Sequence, residues 1–124
     1  MKKVGLVGGI GPESTISYYH DIVYGVQKRV GRDFFPDMSI ESIDLFKWVE
    51  LCDQKRYDEL VDFTLAPIQR LAASGADFAV LTANTAHLIF DQVQARSPIP
   101  LISIVEATAQ EAARRGYKKV GLLG

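Results

Sequence analysis

Apolar and polar positions along this chain alternate between two periods. Short apolar runs, each long enough for one buried strand, give way to longer stretches with apolar residues three and four apart. The first run, residues 3–7, is Lys3-Val4-Gly5-Leu6-Val7. A glycine-rich turn follows, Gly8-Gly9-Ile10-Gly11-Pro12-Glu13-Ser14-Thr15. Pro12 suits the first position of a helix, where its missing N–H costs nothing. Ile16, Tyr19, Val23, Val26 and Val30 then predict the apolar face of a helix that Gly31 stops. A second strand is predicted over 38–43, ending at Asp44, and the stretch carrying Phe46, Trp48, Leu51 and Cys52 reads as a linker. Tyr57, Leu60, Val61, Thr64, Leu65, Ile68 and Leu71 mark another amphipathic helix. Pro67 lies within it and predicts a kink or a break near Ala66.

The third apolar run, 76–81, leads into Thr82-Ala83-Asn84-Thr85-Ala86-His87, with a helix predicted from about 85 to 95. Asn84 and Thr85 are both good N-cap residues. The first N–H groups of a helix lack partners inside it and lie at its positive end, so this turn offers a seat to a small anion such as a carboxylate. Pro98 and Pro100 bracket the next connection, and Leu101-Ile102 predicts a short fourth strand. Ser103-Ile104-Val105-Glu106 has the form of a capping box, opening a helix to about Arg115 that Gly116 ends.

Strand then helix, repeated, means an α/β fold: a parallel sheet of about four strands with right-handed crossovers and helices on both faces. Ligands of such sheets sit beyond the carboxyl ends of the strands, where strand order reverses. With strand one central and strand three beside it, the turns 8–15 and 82–87 share one crevice.

Composition narrows the class. The 124 residues are 48% hydrophobic and 23% charged with a net charge of −1, ordinary for a soluble domain and without the basic footprint of a nucleic-acid binder. The apolar runs are too short to span a bilayer. The first run reaches Gly8-Gly9, Pro12 and Glu13 too soon to be a signal peptide. A single cysteine, Cys52, leaves no internal disulfide and fits a reducing cytoplasm. Cys52 reads as a small filler, because reactive thiols need a helix N-terminus or cationic neighbours.

Lys2-Lys3-Val4-Gly5-Leu6-Val7-Gly8 recurs as Lys118-Lys119-Val120-Gly121-Leu122-Leu123-Gly124, with six of the seven positions identical. A repeated strand start is what a duplicated α/β domain would show. Residues 1–116 are therefore expected to form the first of two similar domains and residues 117–124 to begin a second, largely absent one.

The turn Gly8–Thr15 and the segment Asn84-Thr85-Ala86-His87 resemble the two signatures of the first domain of the aspartate/glutamate racemase family. Pro100 to Glu106 and Val120 to Gly124 are similar to it too, so the resemblance spans nearly the whole chain. Ser42-Ile43-Asp44-Leu45 looks more like the branch acting on varied amino acids than the strict aspartate branch. The resemblance implies two α/β domains with a substrate cleft between them, and a homodimer when intact. It also implies no pyridoxal phosphate, no metal and no other cofactor. Two cysteines, one from each domain, would flank the substrate Cα, one thiolate removing its proton and the other thiol returning one on the opposite face. The substrate would be an amino acid such as aspartate or glutamate, with Asn84 and Thr85 on its α-carboxylate and Ile10, Gly11, Ser14 and His87 completing the binding site.

One departure bears on activity. The family's first cysteine directly precedes the Asn-Thr pair, and here that position is Ala83. A methyl group carries no proton, so general acid–base work on this face has no evident agent. The cysteine is either absent naturally or has been replaced. His87 reads either as a cleft-orienting group or as a hydrogen-bond partner of a neighbouring loop. Glu13 reads as a contact for a substrate amine or as a complement to its helix dipole.

Two other functions compete with the racemase reading. A non-catalytic amino-acid-binding or assembly module follows from Ala83. A nucleotide-binding domain would use Gly9-x-Gly11, but position 14 is Ser where the dinucleotide fingerprint has Gly, and no acidic residue stands where a ribose contact is expected.

Overall fold

The computed structural model describes residues 1–31 and 33–122. Four strands form one sheet: β1 (Val4–Gly8), β2 (Met38–Ser42), β3 (Phe78–Leu81) and β4 (Leu101–Ile102). Their order is β2-β1-β3-β4, with every pairing parallel. The helices are α1 (Pro12–Val30), α2 (Leu45–Asp53), α3 (Tyr57–Ala73), α4 (Phe90–Arg96) and α5 (Ile104–Arg114). The α/β class, the parallel sheet and the place of strand order reversal are as the sequence predicts. β1 runs to β2 on one side, the next crossover lands on the other, and the carboxyl ends of β1 and β3 meet.

Strand alternation sorts the core onto two faces. Val7, Ala79, Leu81 and Leu101 join Leu60, Leu65, Ile68 and Leu71 of α3, Trp48 and Leu51 of α2 and Val93 of α4 in one large buried cluster. Gly5 lets α3 lie close to β1, since a Cβ there would come within 3.0 Å of Leu71 Cδ1. Val4, Leu6 and Val80 form a much smaller cluster on the opposite face, under Tyr18 and Ile22 of α1 and Ile104 of α5.

Several local expectations change in the folded chain. Residues 45–53 are helical where the sequence suggested a linker. Asp44 caps this helix, its Oδ1 accepting from Phe46 N at 2.8 Å, and Trp48, Leu51 and Cys52 turn a three-and-four stripe to the core. The helix α3 runs unbroken through Pro67, which is fully buried. On α1, Val23 of the predicted stripe is buried and Val26 partly buried, but Ile16 is 68% exposed and Tyr19 and Val30 are exposed, whereas Ser14, Thr15, Tyr18 and Ile22 are partly buried. Its inner face is polar at the N-terminal end, so a hydrophobic pattern does not find it.

After β3 the backbone makes a 3-10 turn, Thr85–Ile89, before α4 begins. Asn84 is itself helical there and makes no side-chain cap bond. The α-helix expected to start at Thr85 is therefore displaced to Phe90. The long helix that opens beside the crevice is α1, capped by Gly11 with Pro12 in its first turn.

Residues 118–122 form no strand and are exposed; the last two residues of the repeated motif lie outside the described residues. No helix among the described residues is long and apolar enough to cross a membrane.

Candidate functional site

The crevice is built where β1 and β3 end side by side. Thr82 follows β3, and both its N–H and its hydroxyl donate to Val7 O, at 3.0 and 3.1 Å. Thr15 Oγ1 lies 3.0 Å from Thr82 Oγ1 and accepts from Gly9 N at 3.1 Å. Ser14 Oγ stands 2.7 Å from Thr82 O and 2.9 Å from Gly11 O, sharing its proton between the two carbonyls. Three hydroxyls from distant parts of the sequence thus tie the glycine-rich turn to the end of β3. The Ser14 and Thr15 hydroxyls satisfy Thr82 O and Gly9 N, and the Thr82 hydroxyl adds a second bond to Val7 O.

Two glycines make that closeness possible. A Cβ on Gly8 would meet Thr15 Cγ2 at 2.5 Å. A Cβ on Gly9 would run into the carbonyl oxygen of Ile43, and its φ of +91° is one that side-chain-bearing residues rarely adopt.

A crevice of about 350 Å³ opens at this junction. Ile10 and Ser14 line it from the first turn, and Ala83, Asn84 and Thr85 from the second, so the structure brings together five of the seven sequence-predicted positions. Gly11 sits at the start of α1, where its carbonyl takes the Ser14 and Thr15 hydroxyls. His87 lies behind the crevice. Its Nε2 accepts from Ile104 N at 3.1 Å, which leaves the ring proton on Nδ1 to be donated to Ala83 O, also at 3.1 Å. The ring stacks on Phe90 with centroids 5.0 Å apart. His87 therefore joins the turn after β3 to the start of α5, the hydrogen-bonding alternative of its two readings.

Tyr18, Thr82 and Ile104 complete the lining. Tyr18 is one helical turn beyond Ser14, a spacing that could have flagged it once Ser14 was placed. Burial pushes its phenol above the ordinary value. Ile104 comes from β4–α5 and only the sheet order brings it here. Thr82, 1% exposed and engaged with Val7 O, has no free hydroxyl to offer as a base.

The polar side chains of the crevice fall into two groups. Ser14 and Thr82 are bonded within the protein. Asn84, Thr85 and Tyr18 bond no other side chain or backbone group among the described residues, and Asn84 and Thr85 are exposed. Such groups can take up a polar ligand without breaking an internal contact. The position that would need an acid or base, Ala83, presents a methyl.

Comparison with known proteins agrees with this layout. The sequence model described as Asp/Glu/hydantoin racemase matches residues 7–124. The broad specificity amino-acid racemase RacX of Bacillus subtilis (strain 168) is 28% identical over 122 residues, 96% of this chain and 53% of that protein. The crystal structure of a candidate Asp/Glu racemase from Yersinia pestis superposes with a TM-score of 0.93 at 31% identity, over all of this chain and 54% of that one. An aspartate racemase homologue from Pyrococcus horikoshii OT3 gives a TM-score of 0.82 at 32% identity, over 94% of this chain and 50% of that one. The chain spans about half the length of these relatives.

Proposed function

The chain belongs to the Asp/Glu/hydantoin racemase family, and on that premise we propose that it is the amino-acid-binding first half of a cofactor-independent racemase-like protein. Residues 1–116 are then the first domain and 117–124 the start of a second, similar one, as the repeated Lys-Lys-Val-Gly-Leu motif suggests. The substrate is an amino acid, bound by its α-carboxylate at Asn84 and Thr85. Ile10 and Ser14 shape the opposite wall. Gly11 and His87 act on the backbone around the site, not on the ligand. The intact protein is a cytoplasmic homodimer in this reading.

One observation supports it above the others. Neighbouring hydroxyls of the crevice are bonded internally, yet Asn84 and Thr85 are exposed and unpaired in the segment that matches the family's carboxylate-binding motif. The same turn also limits the chemistry. Racemisation needs a proton acceptor on one face of Cα and a donor on the other. Position 83 holds the alanine, so this half binds substrate without exchanging its Cα proton. That leaves a second reading open, a binding or assembly module without turnover, which Ala83 favours.

Titrating isotope-labelled chain with amino acids tests the binding. Saturable shifts of the Asn84 and Thr85 amides are expected, lost in Asn84→Ala and Thr85→Val. Incubation in D2O tests the chemistry: no Cα deuteration is expected from this chain, nor from Ala83→Cys in it. The same change in a full-length protein should raise exchange if a second-domain cysteine faces it. Protein-dependent exchange by the unmodified chain would mean that another residue is the base.

A further inference from the structure

Beside the crevice lies a larger, mainly apolar groove of about 680 Å³ between α1, the sheet and α5. Tyr18 and Ile104 line both cavities. They form the wall between the two, and a ligand group leaving the crevice on that side passes over them. Beyond them the groove continues with Val80, Ile102 and Ala107.

Charge is missing along this route. No Lys, Arg, His, Asp or Glu lines the crevice among the described residues. The charged groups lining the groove are Glu111 and Arg115, bonded to each other at 2.6 Å, with Arg114 also on Glu111. They stand about two to three helical turns along α5 from Ile104, away from the wall. Tyr18 adds a phenol, a hydrogen-bonding group without charge. A second carboxylate carried onto this wall would shed water and find no cation in the crevice or at the wall to replace it, which is costly. An aliphatic, thioether or aromatic side chain would instead cover apolar surface already exposed there, which is favourable.

Resting on the reading that Asn84 and Thr85 hold an α-carboxylate, we propose that Tyr18 and Ile104 are specificity-determining residues and that the site takes amino acids with uncharged side chains, which extend over these two residues toward the groove. Acidic amino acids are disfavoured by this half of the cleft.

The test compares ligands of similar size on the isotope-labelled chain: leucine against aspartate, and methionine against glutamate. Leucine and methionine should bind at least about tenfold more tightly than their acidic counterparts, a difference of about 1.4 kcal/mol, and should shift Tyr18 and Ile104 resonances as well as Asn84 and Thr85. Ile104→Arg should reverse the preference toward glutamate. Ile102→Arg, at an exposed groove position, should do so more weakly and serves as the second variant if the first does not fold. Aspartate or glutamate binding as tightly as leucine or methionine would overturn the specificity while leaving the carboxylate site intact. If no amino acid of either class moves the Asn84 and Thr85 amides, the binding reading itself fails, and this inference with it.

Discussion

Leu71 on one face of the sheet and Thr15 on the other each press on a glycine of β1, Gly5 and Gly8 respectively. Leu71 does so as part of a dry apolar cluster that includes Leu60, Ile68 and Val93, all fully buried. Thr15 does so to bring a hydroxyl within reach of Gly9 N and Thr82 Oγ1. The first face is held by apolar area removed from water, the second by a few directed hydrogen bonds over only three buried apolar residues. On that second face α5 buries none of its residues and the groove stays open. Stability is concentrated on one side of the sheet, and the surface available to a ligand lies at the strand ends and on the other.

That contrast can be broken most directly from the apolar side. Leu71→Ala removes a fully buried side chain from the middle of the cluster and should lower unfolding free energy by about 2–5 kcal/mol in a denaturant titration. A cost below 1 kcal/mol, about the size of a surface change, would mean that the α3 face is not the main source of stability.

Thr82→Val comes next. It keeps the volume but removes the hydroxyl that donates to Val7 O and meets Thr15 Oγ1. Val7 O keeps Thr82 N and Thr15 Oγ1 keeps Gly9 N, so the loss of two hydrogen bonds should cost about 1–3 kcal/mol in all, with amide exchange rising first at Gly9 and Thr15. Uniform loss of protection across α3 instead would show that the hydroxyl junction is not a separate unit.

Acid sharpens the comparison on α5. Side-chain hydrogen bonds from Arg114 and Arg115 hold the Glu111 carboxyl down to about 2, from an ordinary value of 4.5. A depressed acid contributes while it is ionised, so this contribution is present above pH 4.5 and is lost as pH falls toward 2. Glu111 followed by carboxyl NMR should titrate near 2 in the native chain, and Arg114→Ala should raise its midpoint. The loss of order on acidification should be confined to α5, because both arginine partners of Glu111 lie on that helix or at its end, at the surface.

The smallest effect belongs to Val105→Ala. Val105 sits on the open side of α5 at 59% exposure, and its loss should change stability by less than about 0.5 kcal/mol. A larger cost would mean that α5 is packed against something in solution.

Periodicity in the chain identified most of the architecture. The runs 3–7, 76–81 and 101–102 are strands in the fold, with β3 starting two residues later than expected. Gly31 and Ser103 mark helix ends where they were read, Ser103 Oγ accepting from Glu106 N at 3.2 Å. The segment 45–53 went unread because its single strong signal, the Asp44 cap, precedes a helix too short for two full repeats of an apolar stripe. The N-terminal part of the inner face of α1 went unread for a different reason, though Val23 further along is buried as predicted. Ser14, Thr15 and Tyr18 face inward to bond strand ends or border a cavity, and a scale that counts apolar residues assigns them to solvent.

For the site, the sequence by itself determined that both motifs end strands, so that the two turns share a crevice if strands one and three are neighbours; the sheet order β2-β1-β3-β4 makes them so. It also determined that position 83 carries no ionisable group. Only the tertiary structure decided which polar groups remain available. Ser14 and Thr82 look as suitable for a ligand as Asn84 and Thr85 until Thr82 O comes to lie 2.7 Å from Ser14 Oγ across 68 residues of chain. His87 offers two ring nitrogens in the sequence, and in the fold Nε2 accepts from Ile104 N, 17 residues on, while Nδ1 meets Ala83 O. Local pattern reports burial, because burial repeats with the period of the backbone. Hydrogen-bond partnership depends on which strand ends arrive together, and no local period carries that information.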